Sequence, residues 1–162
     1  MQLTPAQLQV LKTSINTNPD PTFASYRTDG NAGAMAGWYN VDSTFVVWKW
    51  SVTIVETGEA FNGTEWAGKT SADIERLSCV ADYLTQYNPS DADVRTMFND
   101  IWSGAGGTIT RANLLALWKR FALKGEQLYC TGTGSDAVPG TLNATAQGDI
   151  TTDNILDALR LP

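Results

Sequence analysis

The chain has 162 residues, enough to build a core that needs no disulfide or metal to hold it, and 43% of them are hydrophobic, too many for disorder by composition. Only 17% are charged and the net charge is −6, which argues against a nucleic-acid surface built from clustered Lys and Arg. Histidine is absent, so Ser-His-Asp and Cys-His nucleophiles and histidine metal sites are excluded whatever the fold.

With so few charges, the surface is carried by Thr, Asn, Ser and Gln, which repel neighbouring subunits weakly. Met1 to Val10 shows no basic region followed by an apolar run, so no secretory signal is expected. No stretch approaches the roughly 18 apolar residues of a membrane span. Cys79 and Cys130 sit in no CxxC pair and read as small buried hydrophobes.

Thr4-Pro5-Ala6-Gln7 offers an N-cap, a proline at the first helical position and a capping-box glutamine. Leu8, Leu11 and Ile15 follow at helical spacing, which predicts a helix to about Asn16. Asn18-Pro19-Asp20-Pro21 reads as a stiff turn. Asp29 to Asn31 caps a short helix to about Tyr39, with small residues that admit a close neighbour.

Residues 41–66 stay open between strand and helix. Val46, Trp48, Trp50, Val52 and Ile54 alternate as a strand face, while Thr53 with Glu56 makes a capping box for a short helix to Phe61. An extended segment leading into that turn accommodates both patterns.

Three helices follow. One runs from Thr70 or Ser71 to about Tyr87 with Ile74, Leu77, Ala81 and Leu84 on its stripe. One is capped by Ser90 and Asp93 and runs to Trp102, burying Val94, Met97, Phe98 and Ile101. The last spans Thr110 to Leu123 with Leu114, Leu117, Trp118 and Phe121 inward, and its short loops make these three packing neighbours. Lys119, Arg120 and Lys124 then complement its C-terminal dipole.

Beyond Lys124 the pattern changes. Gln127 to Thr131 and Thr141 to Gln147 read as strands around the loop Thr131-Gly132-Thr133-Gly134-Ser135, and Thr151 or Thr152 caps a closing helix, Asp153 to Leu159. The fold class expected is therefore mainly α. A helical bundle body, 1–124, is followed by a C-terminal arm, 125–162, with a short β-hairpin and a terminal helix.

Catalytic chemistry finds little support. Glu56, Glu59 and Glu65 could form a carboxylate pair beside a sugar platform of Trp48, Trp50 and Trp66. The same residues serve equally as helix caps beside core tryptophans. The Thr131–Gly134 loop lacks the third glycine and the lysine of a phosphate-binding loop. No catalytic residue, cofactor or metal is expected, and the chain is read as a non-enzyme.

Four stretches carry a resemblance: Leu3-Thr4-Pro5-Ala6-Gln7-Leu8; Trp48-Lys49-Trp50-Ser51-Val52 leading to Glu56-Thr57-Gly58; Tyr87-Asn88-Pro89-Ser90 with Val94-Arg95; and Glu126-Gln127-Leu128-Tyr129 running into Thr131–Gly134. In order and overall length they resemble a family of small virion proteins of tailed bacteriophages, the head–tail connectors of adaptor or completion type. The resemblance implies a virion subunit at the head–tail junction, made in the host bacterial cytoplasm. It also implies a homo-oligomeric ring, twelve-fold by analogy, between the portal protein and tail or neck proteins, with passive DNA passage and no membrane. Capsid decoration and tail completion are the neighbouring roles, and a soluble ligand- or sugar-binding module is the rival from another class. The partner interface expected on this basis is Leu128, Tyr129, Thr131, Gly132, Thr133, Gly134, Ile155, Leu156 and Leu159. Deleting the chain after about residue 125 is expected to leave a folded monomer that fails to join particles.

Overall fold

The structure is a computed structural model describing residues 1–83 and 85–162, with side chains at all of these except 80, 82 and 83. The chain is mainly helical, 57% helix and 13% strand. The order begins α1 (Pro5–Thr17), α2 (Pro21–Thr28), α3 (Ala32–Tyr39), β1 (Asp42–Trp48), β2 (Val52–Thr53), α4 (Ile54–Ala60), α5 (Gly63–Ala67), α6 (Ser71–Tyr83) and β3 (Gln86–Tyr87). It continues α7 (Ala92–Ile101), α8 (Thr108–Leu117), β4 (Lys119–Leu123), α9 (Lys124–Gln127), β5 (Cys130–Thr131), β6 (Thr141–Leu142) and α10 (Thr152–Arg160). The strands pair as β1 with β4, β2 with β3 and β5 with β6.

The chain divides into two compact units: Met1–Val47 with Phe121–Pro162, and Trp48–Arg120. This differs from the division expected at residue 124. The sequence beyond 125 belongs to the same unit as the N-terminal helices, because its apolar residues complete their core.

In the first unit, Thr4 and Gln7 close the expected capping box on α1. Leu11 and Ile15 on α1, Phe23 on α2 and Met35 and Tyr39 on α3 are fully buried with Ile150, Ile155 and Ala158. α10 packs against α1 and α3. Fully burying each large apolar side chain stabilises by roughly 1.5–3 kcal/mol. Deletion after residue 125 therefore strips a wall from this core. The expectation of a folded truncated monomer gives way to one of an unfolded first unit.

Phe45 on β1 fixes the loop after β5. Val46 N–H donates to the Gly134 carbonyl at 2.7 Å, and Gly140 N–H donates to the Val46 carbonyl at 2.8 Å. A Cβ at Gly134 or Gly140 would overlap the Phe45 ring, and Gly134 has φ of 64°, a left-handed backbone that suits glycine. The glycines of this loop thus let it close over an aromatic ring.

The second unit has an aromatic core: Tyr87, Phe98, Trp102 and Trp118 with Val52, Leu77, Ile101 and Leu114. Tyr87 Oη accepts from Trp118 Nε1 at 2.9 Å and shares a 2.6 Å hydrogen bond with Thr57 Oγ1, so these three polar groups satisfy one another, whereas Trp102 Nε1 is buried with no hydrogen-bond partner among the described residues.

Several elements depart from expectation. The Pro19–Pro21 segment opens α2, because Asp20 caps it and Pro21 occupies its first turn. Val47, not the Val46–Trp48 face, is the fully buried residue of β1. α6 ends before Tyr87, which lies in β3 against Val52. Of the expected α6 stripe, Leu77 is buried, Ile74 and Ala81 are exposed, and Leu84 lies outside the described residues. Asp91, not Ser90, caps α7. α8 ends at Leu117 and packs chiefly against α4 rather than α7. Residues 119–123 are extended in β4, so Phe121 is exposed, and Lys119 and Arg120 lie just past the α8 C-cap Trp118, in the strand and not in the last helical turn. Gln127 ends the single turn α9, so the strand expected from there begins only at Cys130. Cys79 is exposed and Cys130 half-buried, and the two are not joined by a disulfide.

Candidate interaction surfaces

Four acidic side chains, Asp20, Glu56, Glu65 and Glu126, are committed to backbone N–H groups. Asp20 accepts from Thr22 and Phe23 at 2.9 and 3.1 Å, and Glu56 accepts from Thr53 N–H at 2.8 Å. Glu65 receives Ile109 N–H at 2.9 Å and Thr110 N–H at 2.8 Å. It thereby caps α8, whose own N-cap, Gly107, offers no side chain. Burial raises the Glu65 pKa, but the hydrogen bonds from Ile109 and Thr110 outweigh it and leave the carboxyl below its usual range. The Thr53 hydrogen bonds lower Glu56 likewise. Glu126 is almost fully buried and accepts from Leu123 N–H at 3.0 Å and Gly148 N–H at 2.9 Å.

Of the tryptophans considered as a sugar platform, Trp48 and Trp66 are engaged separately. Trp48 lies under the Arg95 guanidinium at 4.3 Å, and Trp66 stacks on Phe61 with ring centroids 5.4 Å apart. Trp102 and Trp118 are core residues.

The residues expected at a partner interface fall into two groups. Ile155 is fully buried in the first unit's own core, and Leu128, Tyr129 and Leu156 pack half-buried against it. Burial raises the Tyr129 pKa strongly, and its hydroxyl donates to the Gln7 carbonyl at 3.2 Å. Gly134 is buried beside Phe45, whereas Thr131, Gly132, Thr133 and Leu159 are exposed.

The first unit carries a trough formed by two adjoining hollows that share Ser14 and Leu128. One runs along α1 past Val10, Thr13 and Thr17, and the other reaches Trp38, Ser43 and Lys124. Lys124 Nζ lies 4.0 Å from the Trp38 ring centroid, a cation–π contact. Trp38 Nε1 donates to Asp20 at 3.4 Å. The trough therefore mixes hydroxyls with an apolar floor and carries two charged side chains, Asp42 and Lys124, at one end. Val10, 43% exposed, was missed as an interface residue although the sequence flags it: it is apolar yet off the Leu8–Leu11–Ile15 stripe. Trp38 and Lys124 meet only through the fold and carried no such signal.

Among the described residues no group of three or more Cys, Asp or Glu is placed to hold a metal, and no helix is long and apolar enough to cross a membrane. No protein-family model matches the chain, and no curated protein or solved structure matches it either.

Proposed function

We propose that this chain is a structural subunit of a tailed-phage particle, a head–tail connector of adaptor type that works through surfaces shared with other subunits. The observation that carries the proposal is the commitment of its carboxylates. Asp20, Glu56, Glu65 and Glu126 hold helix ends and turns together, which is work in building a scaffold. The resemblance of the four sequence stretches supplies the particle and the junction.

In this proposal the helices form the body of a ring between the portal protein and the tail or neck proteins. The α1 end of the trough, with Val10 and Leu128 and no charged side chain in its described lining, faces a neighbouring subunit, since uncharged surface costs less to desolvate than charged surface. The exposed hairpin loop at Thr131–Thr133 and Leu159 on α10 extend the contact surface. The ring order is twelve by family analogy. The body of the subunit remains attached to its C-terminal segment, so ring contacts need no free arm.

The test is a density map of the intact particle together with its protein content. The chain is expected in mature particles, in a ring at the neck. Its presence on the capsid shell would move the assignment to decoration, and its absence from particles would overturn the proposal.

A further inference from the structure

The second unit contains a hollow of about 150 Å³ that the structural role does not use. Its walls are the side chains of Ile54 on α4, Leu77 and Ala81 on α6 and Phe98 on α7. Phe61 and Trp66 form one further side as a stacked pair, with rings 12° from parallel and centroids 5.4 Å apart. Trp66, 37% exposed, stands at the rim, and its other neighbour is Trp102, at 6.1 Å between centroids.

Among the described residues the polar side chain of the lining is Thr57, and it is already satisfied. Its hydroxyl donates to the Thr53 carbonyl at 2.8 Å and meets Tyr87 Oη at 2.6 Å. No ionisable side chain is among the described lining residues. A charged or strongly polar guest would lose its hydration there with nothing in return. Water fares little better, since a water needs at least two polar partners to be held in a cavity.

We infer that this hollow is a binding site for a small uncharged apolar molecule of about one aromatic ring. The size follows from the volume: an apolar cavity of about 150 Å³ stays dry and accommodates benzene in a well-studied engineered case. The preference for a ring follows from the stacked Phe61–Trp66 pair, which an aromatic guest meets with offset or edge contacts. The site belongs to the second unit alone and does not depend on the connector assignment. A chain absent from phage particles could still bind such a guest, and a connector could fail to.

The experiment titrates the full chain with toluene and, separately, with benzamidinium, the same ring bearing a charge, and follows the Trp66 indole resonance. Saturable toluene binding with a Kd in the millimolar range or below is expected, with benzamidinium at least tenfold weaker. Two variants close the hollow: Gly58→Leu, at a lining position where an added Cβ meets nothing within 4 Å, and Ala81→Phe, at an exposed lining position. Each is expected to raise the toluene Kd at least tenfold while the unfolding midpoint holds. The inference is overturned if wild-type chain shows no saturable toluene binding, if benzamidinium binds as well as toluene, or if both variants unfold like wild type and still bind.

Discussion

The two units build cores of similar purpose from opposite arrangements of chain. The first joins the two ends of the sequence: Leu11 and Ile15 near the start meet Ile155 and Ala158 near the finish. The second gathers Val52, Tyr87, Phe98, Trp102, Leu114 and Trp118 from one continuous stretch. Loop closure must precede the contacts that reward it, so the first core forms only after the whole chain is available. The second can form from residues 48–120 as they appear. The first core is mainly aliphatic with a Phe23–Trp38–Tyr39 aromatic group, whereas the second is held by a tyrosine–tryptophan hydrogen-bonded centre. The contrast teaches that a tail poor in apolar residues can still be structural, when the few it has finish another segment's core.

The largest expected effect breaks the first unit and spares the second. Removing residues 126–162 takes away Glu126, Ile150, Ile155 and Ala158 together. Native-state hydrogen exchange is expected to show residues 5–39 unprotected while the amides of α7 and α8 stay protected. Protection retained over residues 5–39 would mean that α10 is dispensable to this core.

Point substitutions sharpen the same contrast. Ile155→Ala should cost about 2–5 kcal/mol and Trp118→Ala about 3–5 kcal/mol, through lost burial and the cavity left behind. Hydrogen exchange should assign the first loss to residues 5–39 and 150–160, and the second to α4, α7 and α8. Equal loss of protection everywhere from either change would instead make the chain one cooperative body.

What the sequence revealed of these cores follows from distance along the chain. The capping boxes Thr4–Gln7, Thr53–Glu56 and Thr151–Asn154 span three residues, so their pattern is complete in any short window. The stripes of α1, α7 and α10 are likewise local. β4 was hidden because Leu114, Leu117, Trp118 and Phe121 keep helical spacing. Pairing with β1 overrides that spacing, as the Lys124 N–H bond to the Val41 carbonyl and the Ser43 hydroxyl bond to the Ala122 carbonyl show. Of the candidate surface, Leu128 was legible as an apolar residue in a polar segment, but its partner Val10 lies far away in sequence. The apolar hollow was not legible at all, because it is bounded by α4, α5, α6 and α7 at once.

A smaller effect tests the buried carboxylate of the first unit. Glu126→Ala leaves the N–H groups of Leu123 and Gly148 without the acceptor they share. A buried donor left unsatisfied costs about 1–3 kcal/mol, so urea unfolding should shift to lower concentration by a corresponding amount. No shift would mean that these amides find water once the side chain is gone.

The smallest effect belongs to the second unit and depends on pH. Glu65 holds the start of α8 from a position 44 residues away, and its folded pKa lies below the ordinary glutamate value of 4.5. A carboxyl whose pKa falls on folding binds fewer protons folded than unfolded around that pH, so it adds stability as pH rises. The contribution is complete above the unfolded value and disappears as pH falls through the lowered folded value. Glu65→Gln preserves the shape and one carbonyl acceptor but cannot ionise. The variant should therefore unfold at lower urea than wild type at pH 7, and the gap should narrow in acid as pH falls through the lowered folded pKa and the wild-type carboxyl is itself protonated. A gap of unchanged size in acid would show that Glu65 supports α8 by packing and neutral hydrogen bonding, with its charge playing no part.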